Sequence, residues 1–146
     1  MAGENATDRK CETAFKTVLD VALDGVPKVN IGFTESFKTT PFVAVMVTEA
    51  TEAIFGTGTR TGQVEFAITS DADKNGSAPA DHHARVGAVT DVLYDDGLIA
   101  ALNAAGVVDF TMHKVKELSS RAGMDDRRFV TRITLECIYS GSSGLA

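Results

Sequence analysis

The stretch that most narrows the fold lies near the end of the chain, in "RRFVTRITLECIYS" from Arg127 to Ser140. Thr131, Ile133, Leu135, Cys137 and Tyr139 alternate there with Arg132, Thr134 and Glu136. Successive strand side chains point to opposite faces, so this pattern predicts a strand with one dry face and one wet face. A slip of one residue would turn the whole apolar set to water, so the register is tightly specified. "QVEFAITS", from Gln63 to Ser70, repeats the pattern. It puts Val64, Phe66 and Ile68 on one face and Gln63, Glu65 and Thr69 on the other. Two half-buried strands require a second layer over their apolar side.

Two helical stretches can supply that layer. In "TDRKCETAFKTVLDVALDG", Cys11, Phe15, Val18, Leu19 and Ala22 recur at helical spacing behind the cap-type residues Thr7 and Asp8. Gly25 and Pro27 stop this helix. A second helix is predicted from Asp81, as N-cap after Pro79, to Asn103. Val86, Val89, Leu93, Leu98, Ile99 and Leu102 form its apolar side, and Gly97 bends or breaks it. Asp95-Asp96-Gly97 then reads as a helix-to-helix turn, and Gly106 as the stop.

The remaining stretches fill in a sheet. "KVNIGF" is a short edge strand. Phe42 to Val47 is apolar on both faces and suits a central strand, while Glu49 and Glu52 carry its far end into solvent. "IFGTGTRTG" is a flexible hairpin tip and "DADKNGSAPA" a loop. "VDFTMHKVKEL" reads as a strand and "SSRAGMDD" as a polar turn. The predicted fold class is α+β: a mainly antiparallel sheet, with room for mixed pairing, of about four to five strands, and two main helices packed on one face. Residues 1–146 form a single domain, with 1–7 and 141–146 as flexible tails.

Composition limits the partners. The net charge is −6 and the pI about 5.0. Nonspecific nucleic-acid binding needs clustered Lys and Arg to displace counterions, so an acidic chain argues against it. The N-terminal "MAGENATDRK" lacks the apolar core of a signal peptide. No run approaches the roughly 18 apolar residues of a membrane span. Cys11 and Cys137 are far apart and fit neither a zinc nor a CxxC redox spacing. They read as two buried, inert thiols in a reducing compartment, with a single disulfide as the alternative.

The polar motifs that suggest chemistry each break a geometric rule. His82 and His83 are adjacent, so on a helix they point about 100° apart and cannot together hold one metal. A helical zinc pair wants i, i+4 spacing, and those positions are Val86 and Gly87. His82 falls on or beside the buried stripe and His83 on the next, and one of the two reads as filling a partly buried gap at the helix start. "GTGTRTG", with Gly56, Gly58, Gly62 and Arg60, lacks the Gly-Lys-Ser/Thr of a phosphate loop, and a strand rather than a helix follows it. Ser119 and Ser120 have no nucleophile elbow. No nucleophile, base and stabiliser converge, which favours a structural or binding protein over an enzyme. No cofactor or metal is expected.

The order of elements resembles the tail-terminator and tail-completion proteins of tailed bacteriophages. The resemblance spans residues 8 to 140. It rests on the N-terminal helix, the long hairpin, the H-x-R-V-x-x-V pattern from His83 to Val89, and the closing strand "FVTRITLECIYS". It implies a structural virion protein assembled in the host bacterial cytoplasm. Six copies would form a ring that caps the tail tube and joins it to the neck or head-completion protein. The expected partners are other copies of the chain, the tail-tube protein and the neck protein. DNA would pass through an acidic lumen without specific binding. Under this reading Phe55, Arg60, Arg121, Arg127 and Arg128, on two projecting loops, are the candidate interface residues. A head-closure, neck or tail-tube subunit is the nearest alternative. A small ligand-binding or enzymatic α+β domain, with a pocket at His82, His83 or His113, is the more distant one.

Overall fold

A computed structural model of the chain describes residues 6–24, 28–32, 41–54, 58–71, 78–125 and 128–141. The elements run in the order α1 (Ala6–Leu23), β1 (Lys28–Ile31), β2 (Phe42–Ile54), β3 (Thr59–Asp71), α2 (Ala78–Leu93), α3 (Leu98–Asn103), β4 (Phe110–Asp125) and β5 (Arg128–Gly141). The five strands make one sheet in the order β1-β2-β3-β5-β4. β1 pairs with β2 in parallel, and every other pairing is antiparallel. The fold is therefore α+β with a mixed sheet, as the sequence predicts.

The alternation in β5 places its two faces as expected. Thr131, Ile133, Leu135, Cys137 and Tyr139 are buried, and the residues between them are half-buried. β3 contributes Val64, Phe66 and Ile68 to the same side, and β2 contributes Val43 and Val45. All three helices pack there. α1 brings Cys11, Ala14, Phe15, Leu19 and Leu23, with Phe15 edge-on to Phe66 at 5.0 Å between ring centroids. Burying a side chain of this size contributes about 1.5–3 kcal/mol. Phe42 and Ala44 are buried too, on the opposite face, in a small cluster with Ala67. The two-sided apolar run of β2 is thus used on both sides.

Several expected boundaries shift. α1 starts at Ala6, so Thr7 is a buried helical residue rather than part of a tail or a cap. Ala22 is exposed, and Ala14 and Leu23 take the place expected for it. α2 starts at Ala78 rather than at Asp81, and Asp81 sits exposed in its first turn. Pro79 fits inside that turn because the first helical N–H groups have no intrahelical acceptor to lose. The second helix does break at Gly97: Tyr94 to Gly97 form an elbow in which Asp95 Oδ2 accepts the Gly97 N–H at 3.0 Å.

The largest correction concerns "SSRAGMDD". From Ser119 to Asp125 it is strand rather than turn, because β4 continues in register with β5 back to Arg128. Polar side chains disguise a strand that the ladder to β5 holds on one edge only. Register shifts at His113 and Leu118 mark irregularities that bend this edge.

Candidate functional site

The predicted interface residues divide into three groups. Phe55 and Arg127 lie outside the described residues. Arg60 is in β3 rather than on a projecting tip, and its guanidinium turns onto Asp8 of α1. Nε donates to Asp8 Oδ1 at 2.7 Å and Nη2 to Oδ2 at 3.1 Å. The Tyr139 hydroxyl donates to the same Oδ1 at 2.7 Å. Both side chains of the ion pair are under a fifth exposed. The Asp8 hydrogen bond raises the Arg60 pKa above its already high ordinary value. Burial is the main cause holding the Tyr139 phenol well above its ordinary value. Asp8 thus ties α1 to β3 and β5, and Arg60 works inside the molecule.

Gly62 belongs to this arrangement. A Cβ there would collide with the Tyr139 hydroxyl that reaches across to Asp8. The glycine-rich stretch carries a close approach of side chain to backbone. Glu12 is a second tie: its Oε2 accepts the Val47 N–H at 2.9 Å, just beyond the β1 pairing. A carboxylate there covers a bare N–H on β2 where the sheet edge would otherwise lie open.

Arg121 and Arg128 are the remaining pair. By register both belong to the sheet face away from the helices, with Arg132, Lys114 and Lys116. Arg128 lies 3.4 Å from Asp71, and Arg132 lies 3.5 Å from Glu65. Arg121 is exposed and stands directly opposite Arg132 across the ladder. Like charges facing each other across a ladder are unfavourable unless an anion sits over them.

The three histidines go to three different places. His82 is buried, as its helical stripe requires. Nδ1 lies 2.8 Å from Ser70 Oγ and Nε2 lies 2.9 Å from Thr131 Oγ1. Its ring leans on Phe129 at 5.7 Å. Burial, then the neighbouring His83 and Arg85, lower its pKa from the ordinary 6.5. Two hydroxyls can satisfy a neutral imidazole completely, one as donor and one as acceptor. His83 is exposed on the next stripe. His113 is exposed and reaches Ser140 Oγ at 2.8 Å across the β4–β5 ladder. His82 and His83 line a shallow cleft of about 300 Å³ with Phe129 and Gly123. Among the described residues no three His, Cys, Asp or Glu side chains are grouped to hold a metal ion.

The two thiols are buried and unpaired with each other. Burial pushes Cys137 up to about 12 and Cys11 well above its ordinary value, so neither offers a thiolate at neutral pH. Asn103, which the sequence reading passed over, pins α3 to β4. Its Nδ2 donates to the Met112 carbonyl at 3.1 Å, and its Oδ1 accepts the Met112 N–H at 2.6 Å. Only its place at the end of an Ala-rich helix could have hinted at this. Among the described residues no helix is long and apolar enough to cross a membrane.

A second concavity, of about 320 Å³, opens where the α2–α3 elbow meets β4. Leu93, Leu98 and Val115 line it, and Asp95, Asp96 and Glu117 edge it. Tyr94 and Glu117 both line this gap, and burial, then the Glu117 carboxylate, raise the Tyr94 pKa above its ordinary value.

No family model matches the chain, and no curated protein matches it. Among solved structures it is similar to a chain of the virion of a native gene transfer agent particle, with a TM-score of 0.54 and 11% identity. The likeness covers 85% of each chain. At that identity the comparison establishes a shared fold.

Proposed function

We propose that this chain is a structural virion protein of a phage-like particle, and within that class a tail terminator. In this role it forms a ring, sixfold by the family resemblance, on the end of the tail tube and joins the tube to the neck. The observation that carries the reading is the fold, shared over 85% of both chains with a component of a gene transfer agent virion. The layout suits a ring subunit. The helices cover one face of the sheet and leave charged side chains half-buried on the other, where a neighbour can cover them. The β4–β5 hairpin presents Arg121 and Arg128 on that face.

The chemistry of the sites points the same way. Both nitrogens of His82 are engaged by hydroxyls, so the His82–His83 cleft offers His83 alone as a free imidazole. The Ser70 hydroxyl beside His82 is fully buried, so this serine–histidine contact holds α2 on the sheet rather than activating a nucleophile.

The test is the mass of the purified protein by native mass spectrometry or light scattering, with and without matching tail tubes. A hexamer, or a monomer that becomes a ring only on tube ends, supports the terminator. A ring that ignores tubes but binds the head connector assigns a neck subunit instead. A persistent monomer or dimer that ignores tubes and melts higher with Zn²⁺ overturns the reading in favour of the histidine cleft.

A further inference from the structure

Charge is distributed unevenly in this acidic chain. Residues 78–109, which hold α2, α3 and the elbow, contain five aspartates (Asp81, Asp91, Asp95, Asp96, Asp109) against the single cation Arg85. All five are exposed. The open sheet face of β4 and β5 carries Lys114, Lys116, Arg121, Arg128 and Arg132. Glu65, Asp71 and Glu136 offset part of that charge. Arg121 and Arg132 nevertheless face one another across the ladder, and Arg121 is exposed.

We infer that the elbow groove of one copy receives the Arg121 side of the open sheet face of a second copy, and that this is the contact from which the ring is built. The groove has the chemistry an arginine asks for. Leu98 and Val115 offer apolar surface to the aliphatic stem, and Asp95, Asp96 and Glu117 offer carboxylates to the guanidinium. An anion supplied from outside would also bring a carboxylate to Arg121, which stands opposite an Arg132 that Glu65 already meets. A nucleic acid would meet the cations equally well, but the aspartate-rich side of the same molecule repels it. A second copy supplies both signs.

The two patches lie on opposite faces of the sheet. By register Glu117 falls on the helix side of the sheet, opposite Leu135, and Arg121 falls on the other side, opposite Arg132. A copy that fills its neighbour's groove therefore leaves its own groove for a third copy. Such head-to-tail contacts close into rings when the rotation permits and otherwise run on as filaments.

This inference rests on the ring reading, and the test separates the two. Asp96 and Arg121 are both exposed, so reversing either leaves the core intact. Self-association of wild type, D96K, R121E and the double reversal D96K/R121E is measured by light scattering, alone and with tail tubes, after thermal melts verify folding. Each single reversal is expected to weaken association about tenfold or more, and the double reversal to recover most of the loss. An equal mixture of the two single variants should also recover association, with the variants alternating, because one contact is then wild type and the next carries both reversals. Wild-type association should weaken as salt is added. Rings that form equally well in both single variants overturn this contact and leave the terminator reading in place. Failure of the double reversal to recover also overturns the contact. A wild-type chain that never associates, with or without tubes, overturns both.

Discussion

At the scale of residues, Asp8 does the most to join separate parts of the chain. Arg60 and Tyr139 both bond to it, from positions 52 and 131 residues away. Replacing Tyr139 by Phe removes one hydrogen bond to a charged acceptor and should cost about 1.5–3 kcal/mol in urea denaturation. Replacing Gly62 by Ala forces a methyl group into the Tyr139 hydroxyl, so a loss of about 1–3 kcal/mol is expected. The two effects should not add fully, because the Phe variant removes the nearest of the Tyr139 atoms that the new methyl meets. His82 gives a pH dependence. Its folded pKa lies below the ordinary 6.5, so the unfolded chain takes up the proton first as pH falls. Stability contributed at this site is complete above that value and declines as pH drops from 6.5 toward the depressed folded pKa. His82→Gln should flatten this part of a stability-versus-pH curve, and an unchanged slope would assign it to other groups.

At the scale of elements, the strands differ in how firmly they are held. β3 lies between β2 and β5, with Phe66 and Ile68 fully buried. β4 is an edge strand, and its residues from Glu117 to Gly123 are exposed. Amide exchange should therefore be slowest in β3 and fastest in β4 beyond the Leu118 irregularity. Equal protection along the whole of β4 in an isolated monomer would contradict this. The same contrast explains which elements could be read in advance. β5, and β3 as far as Phe66, bury one face each, so burial printed a period of two on their sequences. Beyond Phe66, β3 is buried on both faces, and Thr69, expected on the wet face, is buried. The second half of β4 buries little, so nothing forced apolar residues into it. The helix break at Gly97 was legible because Asp95 and Gly97 are turn residues between two apolar stripes.

At the scale of the whole molecule, the open sheet face and the elbow groove carry opposite charge on opposite sides of the sheet. If copies of the chain assemble through them, association will be salt-sensitive and concentration-dependent, and thermal stability will rise with protein concentration. A melting temperature that stays constant from dilute to concentrated solution would count against self-assembly without the tube. The candidate interface was only partly legible at this scale. Arg121 and Arg128 could be picked out as cations near a chain reversal. Arg60 looked the same in sequence, but Asp8 takes it inward. Asp95 and Asp96 were read as a turn, which they are, and their place beside an apolar groove depends on where β4 passes.

The sequence by itself determined the α+β class, the two faces of β3 and β5, the burial of His82 and the elbow at Gly97. These follow from local rules, since period, turn chemistry and helical spacing act within a few residues. Only the tertiary structure decided that β1 runs parallel to β2, that β4 extends to Asp125, and that Arg60 serves Asp8. Each of these depends on a partner far away in the chain. Such a partner leaves no periodic mark on the residues it selects, because a single hydrogen bond or ladder pairing constrains one position and not a pattern.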